Sequence, residues 1–159
     1  MRTLQAETGT ALIMVDADGE NQIAVCESAN AHVHTVDVEF PDGATVLAQL
    51  EISPETVTEA ARRCHGYFAL NAAPAVALPA ELITRADLII VNETEYALIP
   101  ELTGAAVVAV TYGAKGSAVL ERGEQVAFAP AVEPVPVNTV GGRRVLRRAH
   151  DCAARRTVL

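Results

Sequence analysis

Two polar side chains with the chemistry of a phosphate or metal site directly follow one strongly apolar stretch of this 159-residue chain. In the stretch from Asp87 to Val91, the charge of Asp87 bounds a continuous apolar run, which is typical of a parallel strand covered on both faces. The turn Asn92-Glu-Thr-Glu95 comes next. Ligands of open α/β sheets bind where such strands end and the next helix begins. Asn92 could hold a phosphate or a water there, and Glu95 could orient a hydrated cation. The alternative is that Asn92 or Thr94 only caps the following helix.

A second candidate ligand loop follows another apolar strand. Val107 to Val110 precedes the loop Thr111-Tyr-Gly-Ala-Lys-Gly116. Gly113 and Gly116 allow positive φ and a close approach of the backbone to a ligand. Together with backbone N–H groups, Lys115 would suit a phosphate chain. The alternative is an ordinary hairpin turn with a solvated lysine.

The histidines and cysteines do not predict a metal site. His32 and His34 could share a metal on a strand, but no third ligand is placed nearby, so surface or partly packed histidines are favoured. Cys26, Cys64 and Cys152 are odd in number, widely spaced and without a C-x-x-C pair. Their pattern predicts a reducing compartment and argues against a disulfide framework or a zinc site.

The elements that must position these groups alternate between strands and helices. Ala11–Val15 and Gln22–Cys26 flank Asp-Gly turn chemistry and predict a β-hairpin. Ser53 caps a helix with an apolar face formed by Val57, Ala60, Ala61 and Cys64. The other expected elements are a buried strand at 45–50, a strand at 67–70 closing on the turn 71–74, a short helix at 78–82, and edge strands at 125–129 and 135–137. This succession predicts a parallel, doubly wound α/β sheet with right-handed crossovers.

Charge and hydropathy divide the chain near residue 142. Residues 143–159 contain six of the 12 Lys and Arg residues and one of the 20 Asp and Glu residues, so they carry +5 and the preceding 142 residues carry −13. The net charge of −8 does not suggest nucleic-acid binding. No apolar run approaches the ~18 residues that span a bilayer, and the first residues lack the apolar core of a signal peptide. We therefore expect a cytoplasmic protein without a membrane partner.

Several motifs in order resemble the ribokinase-like (phosphofructokinase B type) family of carbohydrate kinases. The resemblance covers about residues 9–141. Its motifs are Gln49-Leu-Glu51, Leu70-Asn-Ala-Ala-Pro74, Asp87 to Glu95, Thr111 to Gly116, and Asn138-Thr-Val-Gly141, after a segment ending in Ser28-Ala-Asn30 where the family usually has Gly-Ala-Asn. It implies a three-layer α/β/α ribokinase-like (Rossmann-like) sheet, here incomplete, with a residual N-terminal hairpin from the lid region.

The resemblance also implies ligands and roles. ATP with Mg²⁺, a sugar such as ribose, a monovalent cation such as K⁺ and a homodimer are expected. Glu51 matches the glutamate that faces the sugar, Asn92 the asparagine near the ATP phosphates, and Glu95 the glutamate that organises magnesium-bound water. The family's nucleotide-binding loop matches Thr111, Tyr112, Gly113, Ala114, Lys115 and Gly116. The start of the signature D-T-x-G-A-G-D matches Asn138, Thr139 and Gly141, with Gly142 as part of an anion-hole remnant.

The chain departs from the family at both ends. Asn138 replaces the aspartate that helps to hold potassium, so the Asn138–Thr139 cation site is in question. Gly-Arg-Arg follows Gly141 in place of Ala-Gly-Asp, so the catalytic aspartate is missing and Asp151 cannot replace it at that spacing. The family's N-terminal sugar-binding segment is missing as well. We therefore expect a partial kinase domain at 1–142 that is inactive, and an arginine-rich tail at 143–159 that is disordered or frameshifted.

Two further functions remain open. One is a non-catalytic nucleotide-binding or interaction remnant of a sugar kinase. The other is binding of nucleic acid or an acidic partner through the tail, which the absence of aromatic residues from the tail disfavours. Codons for 141–150 can be chosen so that two restored bases yield Gly-Ala-Gly-Asp and an apolar helix. We therefore predict a two-base deletion near codon 142.

Overall fold

A two-stranded hairpin forms a sheet of its own at the start of the fold. The structure, a computed structural model, describes residues 5–17 and 21–131. Strand β1 (Thr10–Val15) pairs antiparallel with β2 (Asn21–Cys26), which confirms the predicted hairpin. Its apolar side chains are exposed on both faces, with Leu12 63% and Ile13 45% accessible. The hairpin therefore contributes little to the hydrophobic core.

The main sheet has six strands that follow one another in chain order. Its strands are β3 (Val46–Gln49), β4 (Phe68–Asn71), β5 (Leu88–Asn92), β6 (Val107–Thr111), β7 (Gly116–Glu121) and β8 (Glu124–Pro130). Strands β3 to β6 are parallel, and β7 and β8 continue the sheet antiparallel. The α/β class and the parallel arrangement of β3 to β6 are thus confirmed, and β8 is the edge strand predicted at 125–129. The edge strand predicted at 135–137 lies outside the described residues.

Three helices join the parallel strands. They are α1 (Pro54–Arg63), α2 (Ala80–Arg85) and α3 (Glu93–Leu98). The predicted cap of α1 is confirmed, because the Ser53 hydroxyl accepts a hydrogen bond from the Thr56 N–H at 3.1 Å. Helix α2 begins two residues later than predicted. Pro79 disfavours helical backbone angles at the residue before it, Leu78. None of the helices in the described ranges is long and apolar enough to cross a membrane.

The large core cluster lies between the helices and one face of the sheet. Alternate residues of the central strands enter it, among them Leu70, Val91 and Val110, together with the predicted apolar face of α1. The strand predicted to be buried at 45–50 follows this pattern on one face, where Val46 and Ala48 pack against the cluster and Leu50 belongs to it. On the other face Leu47 is 62% exposed, so the prediction was wrong there; β3 is an edge strand of the described sheet and has a neighbour on one side only.

The opposite face of the sheet holds a smaller apolar cluster. Its buried members are Ala69, Leu88, Ile90 and Ala109. No described helix contributes a residue to this cluster. Among residues 5–17 and 21–131, the helix layer that the predicted doubly wound arrangement places on this face is therefore not seen.

A network around Arg85 fastens the amino ends of β4 and β5. The Arg85 guanidinium donates hydrogen bonds to the carbonyl oxygens of Cys64 (2.5 Å) and Gly66 (2.8 Å), and its other nitrogen lies 3.2 Å from the Asp87 carboxylate. That carboxylate accepts a hydrogen bond from the Phe68 N–H at 2.8 Å. The loop before β4 is thereby bonded to the start of β5.

The segment between the hairpin and β3 is bonded to both ends of α1. Near the start of the helix, the Thr56 hydroxyl donates to the Val33 carbonyl oxygen at 2.9 Å. In its last turn, the Arg63 guanidinium donates to the Thr35 and Val38 carbonyl oxygens. The same guanidinium lies 5.0 Å from the Phe40 ring centroid, a cation–π contact. We name residues 33–40 the connector.

Candidate functional site

Polar residues collect at the carboxyl edge of the four parallel strands. In the strand register, Gln49 pairs with Asn71 and Asn92 pairs with Thr111. Glu51 follows β3 by two residues. Parallel strands end at the same edge of a sheet, so the predicted site residues of β3, β5 and β6 are brought to one side of the molecule. This is the edge at which open α/β sheets bind ligands.

These strand-end residues also share a face of the sheet. Successive side chains of a strand point to opposite faces. Leu70, Val91 and Val110 enter the cluster under the helices, so the residues that follow them in sequence face the other way. The polar row on that face is formed by Gln49, Asn71, Asn92 and Thr111.

Glu51 is held by a neighbour that was not assigned a role from the sequence. The Gln49 side-chain amide donates to Glu51 Oε1 at 2.9 Å, and both side chains are half-buried. The two residues are separated by one position, across the turn that follows β3, so their closeness in sequence was the available signal. One carboxylate oxygen, Oε2, forms no hydrogen bond to a described residue.

Asn92 and Glu95 bind each other in a capping box at the start of α3. Asn92 Oδ1 accepts from the Glu95 N–H at 2.8 Å, and Glu95 Oε2 accepts from the Asn92 N–H at 2.7 Å. The capping alternative is thus realised. It does not exclude ligand binding, because Asn92 Nδ2 and Glu95 Oε1 have no hydrogen bond within the described part of the chain. The box fixes both side chains at the edge with one polar atom of each unused.

The loop from Thr111 to Gly116 connects β6 and β7 as a hairpin. It contains one short 3₁₀ turn over Gly113–Lys115, and the Tyr112 N–H donates to the Gly116 carbonyl oxygen at 2.8 Å. Lys115 is exposed. The alternative predicted from the sequence, a hairpin turn with a solvated lysine, is therefore present in the structure. Lys115 and Gly113 are exposed at the edge of the sheet where Asn92 lies.

The two loop glycines meet different constraints. Gly113 has φ +55°, and a Cβ added there would have no atom within 4 Å. Gly116 has φ +121°, and its Cβ would lie 2.1 Å from the Ala129 carbonyl oxygen. At Gly116 the close approach allowed by glycine is therefore to strand β8 of the same sheet.

Other predicted site residues fall elsewhere. Asn138, Thr139, Gly141, Gly142 and the 143–159 tail lie outside the described residues. His32 and His34 are exposed, as favoured from the sequence. Across residues 5–17 and 21–131, no group of three or more His, Cys, Asp or Glu side chains could hold a metal ion.

Ser28, which stands where the resemblance led us to expect glycine, adopts a left-handed conformation. Its φ is +43°, at the junction of the hairpin and the connector. A non-glycine residue there is strained by ~1–2 kcal/mol, part of which is offset by the greater unfolded-state freedom of glycine.

We therefore expect Ser28→Gly to raise the free energy of unfolding by about 0.5–1 kcal/mol. Urea denaturation followed by circular dichroism measures this change. Ala29→Gly is the matched control, because Ala29 is not among the positive-φ residues and its replacement should destabilise. A Ser28→Gly chain no more stable than the original would show that the strain is absent.

Comparisons with known proteins agree with this arrangement. The model of the pfkB family of carbohydrate kinases matches residues 2–142. A ribokinase of Staphylococcus aureus is 39% identical over 107 residues, which covers 62% of this chain and 35% of that protein.

Two solved structures extend the comparison. The crystal structure of Thermotoga maritima ribokinase aligns with a TM-score of 0.71 and 26% identity, over 86% of this chain and 52% of its own. The ribokinase of Arabidopsis thaliana complexed with ribose and ATP aligns with a TM-score of 0.69 and 21% identity, over 97% of this chain and 58% of its own. The chain thus spans about a third of the curated relative and a little over half of each solved structure.

Proposed function

The chain belongs to the pfkB carbohydrate kinase family, and from that premise we propose that its polar edge is the sugar and nucleotide site of a ribokinase-type enzyme. Such an enzyme transfers the γ-phosphoryl group of ATP to a hydroxyl of ribose or a related sugar. The observation that carries the proposal is the convergence of Glu51, Asn92 and Thr111 at one edge of the sheet.

The spacing of the strands supports separate sugar and nucleotide ends. Neighbouring strands lie about 4.8 Å apart, so β3 and β6, three intervals apart, are separated by about 14 Å. That distance accommodates a sugar beside Glu51 and a phosphate chain extending towards Thr111. Positioning and electrostatic stabilisation account for most of the catalysis in phosphoryl transfer, which is what such an edge provides.

The unused polar atoms of Glu51 and Asn92 each have a role in this proposal. Glu51 Oε2 accepts a hydrogen bond from a sugar hydroxyl. Asn92 Nδ2 donates to a phosphate oxygen, and the loop 111–116 lines the nucleotide. The resemblance supplies these roles, and the unoccupied hydrogen-bonding capacity of Glu51 and Asn92 agrees with them.

Magnesium would reach this edge together with the nucleotide. Mg²⁺ keeps several waters and is usually bound through one or two carboxylates and the substrate phosphates. The Glu95 carboxylate, with Oε1 unused, fits a contact through a bound water. When bound, Mg²⁺ neutralises charge that develops on the phosphates. A monovalent cation at Asn138 and Thr139 stays a proposal from the resemblance, since both lie outside the described residues.

We propose that this chain binds nucleotide without turning over sugar. The aspartate that the family places after Gly141 as the base is replaced here by the Gly-Arg-Arg sequence. General-base assistance contributes ~10²–10⁴-fold, and loss of one donor of an anion hole costs ~10²–10³-fold more. Both losses together would reduce the rate to background.

The hairpin supports a homodimer as a further part of the proposal. In the hairpin, Ile13 lies opposite Ile23 and Ala11 lies opposite Val25. Val15 is on the same face, because alternate residues of a strand share a face. The four larger side chains of that face are 45–53% exposed. An apolar face this open favours burial against a second copy.

The test uses a cap-preserving substitution. Serine caps a helix as well as asparagine does, so Asn92→Ser keeps the cap of α3 and removes the amide donor. We expect Mg·ATP to raise the melting temperature of the original chain, and Asn92→Ser to bind it about tenfold more weakly with unchanged stability. Differential scanning fluorimetry and calorimetry measure both effects. Ser53→Asn, the reciprocal exchange at the cap of α1, should bind Mg·ATP normally.

Two results would count against the proposal. One is a melting temperature that nucleotide does not change, and the other is an Asn92→Ser chain that binds as well as the original. A coupled assay for ADP release should show no ribose-dependent turnover. Turnover that depends on Asn92 would mean that another residue supplies the base.

A further inference from the structure

The amide pair Gln49 and Asn71 lies beside Glu51 and has no role in the preceding proposal. We infer that Gln49 is a positioning residue for the Glu51 carboxylate, and that Asn71 is a further binding residue for a neutral, hydroxyl-rich ligand at this end of the site. This inference rests on the proposed sugar-binding role of Glu51. It adds two residues to that role and a reason for selecting an uncharged ligand.

Gln49 restricts a side chain that would otherwise rotate freely. Its amide donates to Glu51 Oε1 at 2.9 Å, and Glu51 stands beyond the end of β3, where the strand no longer holds it. A glutamate loses considerable rotamer freedom when it is fixed, and a preformed hydrogen bond removes part of that loss before the ligand binds. The remaining oxygen, Oε2, is then presented in one orientation.

The anchor is itself built on the rigid sheet. Gln49 is the last residue of β3 and pairs with Asn71 in the parallel register. The next residue, Leu50, donates its N–H to the Ala73 carbonyl oxygen at 3.2 Å. The backbone on either side of the amide is therefore fixed to β4 and its turn. Sites supported by strands hold their geometry better than sites on loops.

Asn71 is next to this pair and has unused hydrogen-bonding capacity. It lies directly across from Gln49 on the same face, between the Glu51 and Asn92 ends of the polar row. Its side chain is half-buried and forms no hydrogen bond with any described residue. No buried side-chain nitrogen or oxygen of the described residues lacks a hydrogen-bond partner, so the unpaired amide atoms of Asn71 are open to solvent and a ligand could replace water there.

The chemistry of the pair points to hydroxyl groups. An amide offers two N–H donors and a carbonyl acceptor, and a hydroxyl group can satisfy both kinds. Glu51 accepts only, and it disfavours an anionic ligand beside it. A neutral sugar with adjacent hydroxyl groups matches one acceptor carboxylate next to one bifunctional amide. An anionic phosphate would fit the Asn92 end instead.

The first test needs no ligand and concerns Gln49 alone. In ¹⁵N–¹H spectra of the full chain, the Gln49 side-chain amide signals should move when Glu51 is replaced by Gln, because their acceptor changes. Glu124→Gln, an exposed exchange on β8, should leave them in place. Gln49 signals that do not respond to Glu51→Gln would overturn the positioning role, whatever the chain binds.

The second test is a titration with ribose. We expect Gln49→Leu and Asn71→Leu each to weaken binding about tenfold, the order that one such hydrogen bond supports. Both should leave the melting temperature near that of the original, and ribose should shift the Asn71 side-chain signals. Gln125→Leu, the same type of exchange on the exposed edge strand, should bind normally.

The outcomes separate the two proposals. If the original chain binds ribose and both Leu variants bind it equally well, the inference fails and the proposed function stands. If ribose moves no signal of the original chain, the sugar-binding role of Glu51 fails and the role of Asn71 fails with it. The positioning role of Gln49 is still decided by the ligand-free experiment.

Discussion

Gly116→Ala is expected to lower the free energy of unfolding by about 4 kcal/mol, whereas Gly113→Ala in the same loop is expected to be mild. The new Cβ at Gly116 would lie 2.1 Å from the Ala129 carbonyl oxygen and 2.8 Å from Pro130 Cα, at φ +121°. Backbone strain of ~1–3 kcal/mol and overpacking of a similar size add to about 4 kcal/mol. That loss is a large part of the stability of a small domain, which is typically about 5–15 kcal/mol.

Gly113→Ala provides the matched control. It meets no neighbouring atom within 4 Å, so only its φ of +55° is unfavourable, at a cost of about 1 kcal/mol. Urea denaturation and hydrogen exchange of the β7 and β8 amides measure the difference. Equal stability of the two variants would mean that β8 does not lie against Gly116.

Comparison of the Gly113→Ala and Gly116→Ala variants also distinguishes effects on folding from effects on ligand binding. Both glycines belong to the loop proposed to line the nucleotide. A loss of nucleotide binding in the Gly116 variant would follow from the loss of β8 packing and would not identify a ligand contact. The Gly113 variant, which keeps the packing, is the informative one for binding.

Arg85→Met is expected to lower the free energy of unfolding by about 2–3 kcal/mol. The substitution keeps an unbranched apolar chain and removes the donors to the Cys64 and Gly66 carbonyl oxygens and to Asp87. Hydrogen bonds from charged groups contribute ~1.5–3 kcal/mol each when buried, and the partial exposure of Arg85 reduces the sum. Removing the guanidinium also leaves the Asp87 carboxylate without its cation.

Arg62→Met is the control for this experiment. Arg62 donates to Glu81 at 2.5 and 2.6 Å and to Glu59 at 3.3 Å, but its side chain is 53% exposed. The hydrogen bond from Arg62 lowers the pKa of Glu81, yet exposed ion pairs add little to stability. Chemical denaturation should show a much smaller effect than at Arg85. Similar losses at both positions would contradict a special role for the Arg85 network.

Much of the fold follows from local sequence patterns. Continuous apolar runs predicted β4, β5 and β6, because strands covered on both faces need no polar alternation. The cap of α1 was predictable because Ser, Pro and Glu in its first turn each favour a helix start. The placement of Glu51, Asn92 and Thr111 at one edge followed from the rule that parallel strands share their carboxyl ends.

The remaining features depend on contacts between distant residues. The exposure of Leu47 depends on how many strands flank β3, which the local pattern of residues 45–50 does not encode. The steric role of Gly116 comes from β8, more than ten residues away. The bond from Gln49 to Glu51 depends on the conformation of the turn that follows β3, which the local pattern does not encode. The boundary at residue 142 and the tail remain predictions, since they lie outside the described residues.

The connector has a consequence for sequence variation and for protein labelling. The bonds that hold it to α1 end on carbonyl oxygens of Val33, Thr35 and Val38, which every amino acid possesses. The exposed side chains of the connector are therefore free to change, and Val36, 82% exposed, is the clearest case. Thr35, which is buried, and Phe40, which packs against the large core cluster, are not. A substitution or a chemical label at Val36 leaves the hydrogen bonds between the connector and α1 intact. A substitution of Thr56 or Arg63 removes them.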